Sequence, residues 1–363
     1  MFEAALLIYA LYSSYAVYCS ASQKSKKPAY NIAALAITAL FIRLLFIEAP
    51  GHINDLKLFA EWSRRLYEVG PSGFYQEGYY CDYLPGYLYV LWGIGIIHET
   101  FGAGMHLLLK IPGIASDIAL GIFIYLGAKK RVDEKTALAA ASVALFNPMS
   151  IYNSAIWGQM DSLLALFLVI SLWLAEEEKY EAAAAVYAVA VAIKPQSVFL
   201  AAAFSFIFAK KLRIAPLRWT GRLFFCILAF ASTICLIILP FAHTINPVWI
   251  AGVYAKTMGE YKFVSLNAYN LWWLLGMNLT SDAGRPWILS YREWGYIGTA
   301  VMAFMICCRM HERYIFPAVF FLILAYILSR NPLALLLAAL FSALNSVNHP
   351  IAKSRGLAIA LID

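Results

Sequence analysis

Long apolar runs separated by short charged loops dominate the chain. Phe2–Ser20, Ala29–Glu48, Met105–Ala128 and Leu223–Phe241 each come to the roughly 20 residues that a helix needs to cross a bilayer. Thr136–Tyr152, Ser162–Ala175, Ala182–Ile193, Ser197–Ala209, Glu293–Cys308, Tyr314–Leu328 and Pro332–Leu344 are shorter runs of the same character. None alternates polar and apolar positions, so helices are expected and barrel strands are not. The fold class read from this pattern is all-α, a polytopic transmembrane helical bundle of about ten to eleven spans by the length criterion. Two internal breaks stand out, Asn147-Pro148 and Lys194-Pro195, where proline interrupts a helical run.

Residues 49–104 depart from that rule. Phe59, Trp62, Leu66 and Val69 recur at steps of three and four and share a face. Lys57, Glu61, Arg64, Arg65 and Glu68 take the other, and Gly70-Pro71 ends the helix. An amphipathic helix of this kind lies flat in the headgroup boundary. Leu84–His98 is short for a span and reads as a second interfacial helix opening at Pro85. Residues 242–293, rich in Trp, Tyr and Asn, read as a second long external loop, with an amphipathic segment at 265–276. No repeat, linker or soluble domain interrupts the chain, which reads as one transmembrane domain over 1–363.

Composition agrees. Of 363 residues, 62% are hydrophobic and 13% charged, and the mean hydropathy is +0.69. A soluble domain cannot cover that much apolar surface. The net charge of +7 sits in short loops such as Lys24–Lys27, Lys129–Arg131 and Lys210–Arg222, as cytoplasmic loops require. It marks no nucleic-acid groove. The Asp55 loop is thereby placed outside. Residues 2–20 lack a basic start and a cleavage pattern, so the first run reads as a retained span. Of six cysteines only Cys81 lies in a clearly polar loop, which excludes a disulfide framework.

Polar clusters gather at the expected external face: Asp55, Tyr79–Pro85, Trp157–Asp161, Lys194 and Arg309–Arg313. Polar groups at membrane depth are costly and commonly functional. Each also has a structural explanation. Asp55 and Asp161 suit helix N-caps, Lys194 and Arg43 can snorkel or find a partner, and the tryptophans suit an aromatic belt.

In order along the chain, Asp55 with its flat helix, Asp82-Tyr83-Leu84-Pro85, Asn147-Pro148 followed by Trp157-Gly158-Gln159-Met160-Asp161, Ile193-Lys194-Pro195-Gln196, Asn267–Trp273 and Met310–Tyr314 make a recognisable series. Over about residues 29–330 it resembles the C-type superfamily of integral-membrane glycosyltransferases, in its polyprenyl-phosphate-sugar-dependent branch. The resemblance implies inverting transfer of one hexose, of the mannose or glucose class, from a polyprenyl-phosphate donor to an extracytoplasmic acceptor hydroxyl on a lipid, glycan or protein. Asp55 would be the general base. Lys194, Arg292, His311 and Arg313 would hold the donor phosphate. Asp82, Tyr83, Gln159, Asp161 and Glu312 would position substrate. Asn54 stands where many relatives carry a second acid, so neither a metal nor another cofactor is expected. The resemblance places the chain in a prokaryotic cell membrane in preference to the endoplasmic reticulum, with an external active site. The alternative from another class is a transporter or flippase of a lipid-linked or small polar solute, suggested by Lys110, Asp117 and Lys194 within apolar runs.

Overall fold

The computed structural model describes residues 31–76, 78–242, 248–259, 262–266, 271–285, 288, 290–291, 310–311, 316–329, 333–334, 336–339 and 342. The expected spans Phe2–Ser20 and Glu293–Cys308, part of Pro332–Leu344, and the site residues Arg292, Glu312 and Arg313 lie outside them. The described chain is helical apart from one two-residue parallel pairing. It divides into two compact units: the described residues within Met1–His52, Lys110–Leu166 and Glu312–Asp363, and those within Ile53–Leu109 and Phe167–His311.

The first unit contains α1 (Ile32–Leu45), capped by the Asn31 side chain on the Ala34 amide. It also takes most of α4 (Met105–Ala128), then α5 (Glu134–Leu145), the single turn α6 (Pro148–Ile151) and a π-helical turn over Tyr152–Trp157. The described part of α13 (Phe316–Ser329) packs on α5. The proline break falls where the sequence placed it. Asn147 is the N-cap of α6, its Oδ1 accepting from the Met149 and Ser150 amides and from the Ser342 hydroxyl.

Lys110, Gly113, Asp117 and Gly121 recur at steps of three and four along α4, so one face carries two charges and two gaps. The gaps admit neighbours. A Cβ on Gly113 would lie 2.6 Å from the Gln159 carbonyl oxygen, and one on Gly121 would lie 2.4 Å from the Leu145 side chain. That approach buries Asp117 against Arg43 of α1.

The second unit holds α2 (Ile53–Val69), α3 (Pro85–Phe101), the end of α7 (Asp161–Glu176), α8 (Tyr180–Ile193), α9 (Ala201–Ile214), α10 (Pro216–Ile238), α11 (Val248–Gly259) and the short α12 (Leu271–Leu274). The stripe expected on α2 exists, since Leu56, Phe59, Trp62 and Leu66 are buried while Lys57, Glu61 and Arg64 are exposed. It faces α3, so the stripe expected in the headgroup boundary is met by protein. Gly95 decides this: a Cβ there would sit 2.2 Å from the Ser63 carbonyl oxygen, so the two backbones touch. Only at Val69, 40% exposed, does the stripe come into the open. The amphipathic segment 265–276 begins as β1 (Ser265–Leu266), pairing with β2 (Met310–His311), and turns once as α12. Around it the Leu279 and Asp282 amides donate to the Ser265 and Lys262 carbonyls, and the Val264 amide donates to the Thr280 carbonyl.

Among the described residues, two helical stretches are long and apolar enough to cross a membrane, Met105–Ala128 and Pro216–Phe241. The second has only 6% of its most apolar window buried. Phe224, Phe225, Ile227, Leu228, Leu236 and Leu239 all stand on its exposed surface. That much contiguous apolar surface is stable in lipid and not in water. Ile32–Leu45, Tyr180–Ile193 and Pro317–Ile327 are shorter apolar helices, so the count of ten to eleven spans is not reached by the length criterion among the described residues.

Candidate functional site

The expected site residues fall into both units. In the second unit the sequence places Asp55, Phe59, Trp62 and Leu66 on one face of α2. Asp55 is the third residue of that helix and not the residue preceding it, so the cap reading fails. A carboxylate in the first turn still benefits from the positive end of the helix dipole. Below it, Tyr83 meets Phe59 edge-on with ring centres 5.4 Å apart, and Trp62 at 5.4 Å. The Trp62 indole N–H donates to the Tyr80 carbonyl at 3.2 Å. Lys194 ends α8 in an extended conformation, 8% exposed, its Nζ 5.5 Å from the Tyr83 ring centre. Gly86 makes this possible, because α3 runs against the Ala192 backbone with only 2.6 Å of room for a Cβ. Lys194 and Tyr83 are therefore brought together, with Asp82 half-buried beside Tyr83. Asp82 does not cap α3. Leu84 occupies that position and Pro85 the first helical turn.

The loop between α2 and α3 is held by Arg65. Its guanidinium donates to the Phe74 and Gly73 carbonyls and, at 2.7 Å, to Gln76 Oε1, and it lies 4.0 Å from the Tyr79 ring centre. Tyr75 donates its hydroxyl to the Tyr83 carbonyl at 2.7 Å. Burial first, then the neighbouring Cys81 and Asp82, push the Tyr75 hydroxyl well above its ordinary pKa of 10.0. It is a hydrogen-bond donor at any working pH.

In the first unit, the segment read as an external turn is closed. Asn153, Ser154, Gln159, Met160, Asp161 and Ser162 are each at most 3% exposed. Gly158 takes a left-handed φ of +90°, which lets its own amide and that of Gln159 converge on the Asn153 carbonyl. Asp161 begins α7 and accepts from Asn153 Nδ2 at 2.9 Å. Gln159 and Asp161 are thus part of a packed polar core and not an open substrate surface.

That core extends to a network among the expected spans. Arg43 Nε and Asp117 Oδ2 lie 2.8 Å apart, both side chains fully buried. Asp117 also accepts from the Ser150, Ser154 and Ser162 hydroxyls. Arg43 also donates to the Ala39 and Leu145 carbonyls and to Ser150 Oγ. Lys110 donates to the Ile47 and Ala49 carbonyls at 2.8 and 2.5 Å. These residues lay outside the expected site. Their signal was the 110–113–117–121 spacing and the lone Arg43 in an apolar run.

His311 contributes its backbone to β2, opposite Leu266. Among the described residues no three His, Cys, Asp or Glu side chains converge as a metal cage.

Fold and site together define a helical membrane protein with a satisfied buried charge network in one unit and a cation-capped aromatic cluster in the other. A family profile for GPI transamidase subunit PIG-U matches residues 54–276, well over half of the chain, and the chain belongs to that family. No curated protein matches the sequence. The family corrects the earlier resemblance. A GPI transamidase subunit is not a C-type glycosyltransferase, so hexosyl transfer, the hexosyltransferase class and the polyprenyl-phosphate sugar donor are all withdrawn. The flippase alternative goes with them, and the prokaryotic cell membrane gains no support. The resemblance misled because it rested on an order of short motifs. Cap, turn and proline-led helix residues recur wherever helices enter and leave a membrane.

Proposed function

We propose that the chain is a membrane-embedded subunit of a GPI transamidase, the complex that attaches GPI to proteins. The observation that carries this is the family match over 54–276, which takes in α2, the aromatic cluster, Lys194 and the exposed span α10. The polytopic bundle read from the sequence, as one transmembrane domain, is part of the proposal. Of the two membranes considered, the endoplasmic reticulum is the better placed for such a subunit.

Within it, Asp55, Asp82, Tyr83 and Lys194 are the residues we assign to contact with the polar part of a GPI-lipid substrate. A cation resting on an aromatic ring at membrane depth suits an anionic headgroup, and the carboxylates suit hydroxyls.

Two measurements test the reading. The tagged chain, expressed in cells deleted for their own PIG-U subunit, is expected to co-purify with the remaining transamidase subunits and to restore GPI-anchored proteins at the surface. Lys194→Ala is expected to preserve co-purification while lowering anchoring. Failure to co-purify in a well-folded, membrane-inserted state overturns the subunit assignment. Full anchoring with Lys194→Ala overturns the residue assignment alone.

A further inference from the structure

One groove of the second unit is not used by anything above. α8, α9 and α10 enclose an apolar cleft of about 390 Å³, lined among others by Tyr180, Tyr187, Phe204, Phe208, Cys226 and Phe230. Its two ends differ. At one end Tyr187 faces Phe204 and Phe230, with ring centres 5.1 and 5.7 Å away, and its hydroxyl is taken up by the Ser197 and Val198 carbonyls. At the other, Tyr180 packs on Phe208 and Trp219 at 5.5 and 5.2 Å, and a ring of charge begins. Seven residues of α8 separate the two tyrosines, about 10 Å of helix.

The charged end is built by the α9–α10 hairpin meeting the loop before α8. Arg222 binds Glu181 at 3.0 Å and lies 4.9 Å from the Tyr180 ring centre. Lys211 binds Glu178 at 3.0 Å and lies 5.2 Å from the Trp219 ring centre. Those two pairs satisfy the two acids nearest the cleft. Arg213 and Arg218 stand exposed on the same hairpin, and Arg218 acts on the Glu178 carboxylate without bonding to it. The sequence has five cations in 210–222 against four acids and Lys179 in 176–181, a net positive balance for the two segments. The flank of α10 beyond it is the lipid-facing surface of Phe224, Phe225 and Ile227.

We propose that this cleft is a binding site for an anionic glycerophospholipid of the membrane leaflet on the hairpin side. One acyl chain lies along α8 from Tyr180 towards Tyr187, and the phosphate is held at the hairpin by Arg213 and Arg218. The charge complementarity selects this occupant. An apolar trough whose lining residue Leu212 directly precedes the exposed Arg213, with Arg218 exposed on the same hairpin, matches a molecule with an apolar tail and a phosphate, since arginine binds phosphate with two parallel hydrogen bonds. Basic loops lie on the cytoplasmic side by the positive-inside rule, and that leaflet carries the anionic lipids. The site is independent of the subunit assignment and of Lys194.

Native mass spectrometry of the purified full chain in detergent, titrated with palmitoyl-oleoyl phosphatidylserine or phosphatidylcholine, tests it. Phosphatidylserine is expected to bind with a one-to-one plateau at concentrations where phosphatidylcholine does not. Each basic residue near a membrane surface contributes about fivefold to binding of an anionic lipid, so Arg213→Ala/Arg218→Ala is expected to weaken phosphatidylserine by roughly twentyfold and leave phosphatidylcholine unchanged. Ser205→Trp, at an exposed lining position, is expected to block the trough and lower retention of both lipids with both arginines intact. Equal retention of the two lipids by the wild type, or unchanged phosphatidylserine binding in the arginine variant, overturns the headgroup site. Unchanged binding in Ser205→Trp overturns the acyl trough.

Discussion

Replacing Asp117 by Ala should be the most damaging single change in the first unit. The side chain is fully buried and pairs with Arg43 at 2.8 Å. Its removal leaves the guanidinium with the Ala39 and Leu145 carbonyls and Ser150 Oγ but no counter-charge. Ser154 keeps its second bond, to the Ser150 carbonyl at 3.0 Å, while Ser150 and Ser162 lose the acceptor they share on Oδ1. Breaking a buried pair from one side costs about 3–5 kcal/mol, because a charge is stranded. For a unit of 150–250 residues each kcal/mol moves the midpoint by about 2–4 °C, so a fall of roughly 6–20 °C is expected.

The companion variant Arg43→Met/Asp117→Leu removes both charges and fills the space. Apolar replacement of a buried pair is frequently neutral or stabilising, so the double variant should recover most of the loss. The assay is thermal unfolding in detergent followed by loss of the monodisperse elution peak. If Asp117→Ala shifts the midpoint by under 2 °C, or the double variant is no better than the single, the network does not carry the energetic weight assigned to it.

Other changes separate packing from charge. Gly95→Ala must push the Ser63 carbonyl away from α3 and is expected to cost about 1–3 kcal/mol, whereas Gly93→Ala meets nothing within 4 Å and should stabilise by up to about 1 kcal/mol; the same thermal assay compares them. Arg65→Lys keeps the charge but loses the fork on the Gly73 and Phe74 carbonyls, so residues 71–80 should show faster amide exchange and easier proteolysis while α2 stays protected. Lys211 holds the Glu178 carboxyl below its ordinary 4.5, and Glu178 holds the Lys211 amine above its ordinary 10.5. The pair therefore contributes fully between those two values. It is lost as pH falls through the lowered carboxylate pKa or rises through the raised amine pKa. Exchange in 176–181 should be slowest across that plateau and faster in high salt, since Glu178 is largely exposed and Lys211 partly so; a flat profile would count against the bridge.

Much of the helical layout could be read from the sequence. Met105–Ala128 has the same bounds in both, and the breaks at Asn147-Pro148 and Lys194-Pro195 fall where proline removes a donor. Arg43 was expected either to snorkel or to find a partner, and it has Asp117. These features depend on chain-local physics: run length against bilayer thickness, a missing N–H, a charge that lipid cannot solvate. The amphipathic stripe of α2 was equally legible, but its destination was not. Periodicity fixes which residues share a face and says nothing about whether lipid or protein meets it, and the Gly95 contact with Ser63 settled that in favour of α3.

The closing of Trp157–Asp161 into a polar core, the meeting of Lys194 with Tyr83, and the cleft between α8, α9 and α10 were likewise decided only in three dimensions. Each joins residues dozens of positions apart, through close backbone approaches that depend on the shape of both surfaces. The sequence by itself determined that this is a helical chain built for a membrane, because hydropathy and helix length are properties of consecutive residues. Tertiary structure determined which buried charges are matched and which apolar faces remain open to lipid, because burial belongs to pairs of surfaces and is not encoded in either one alone.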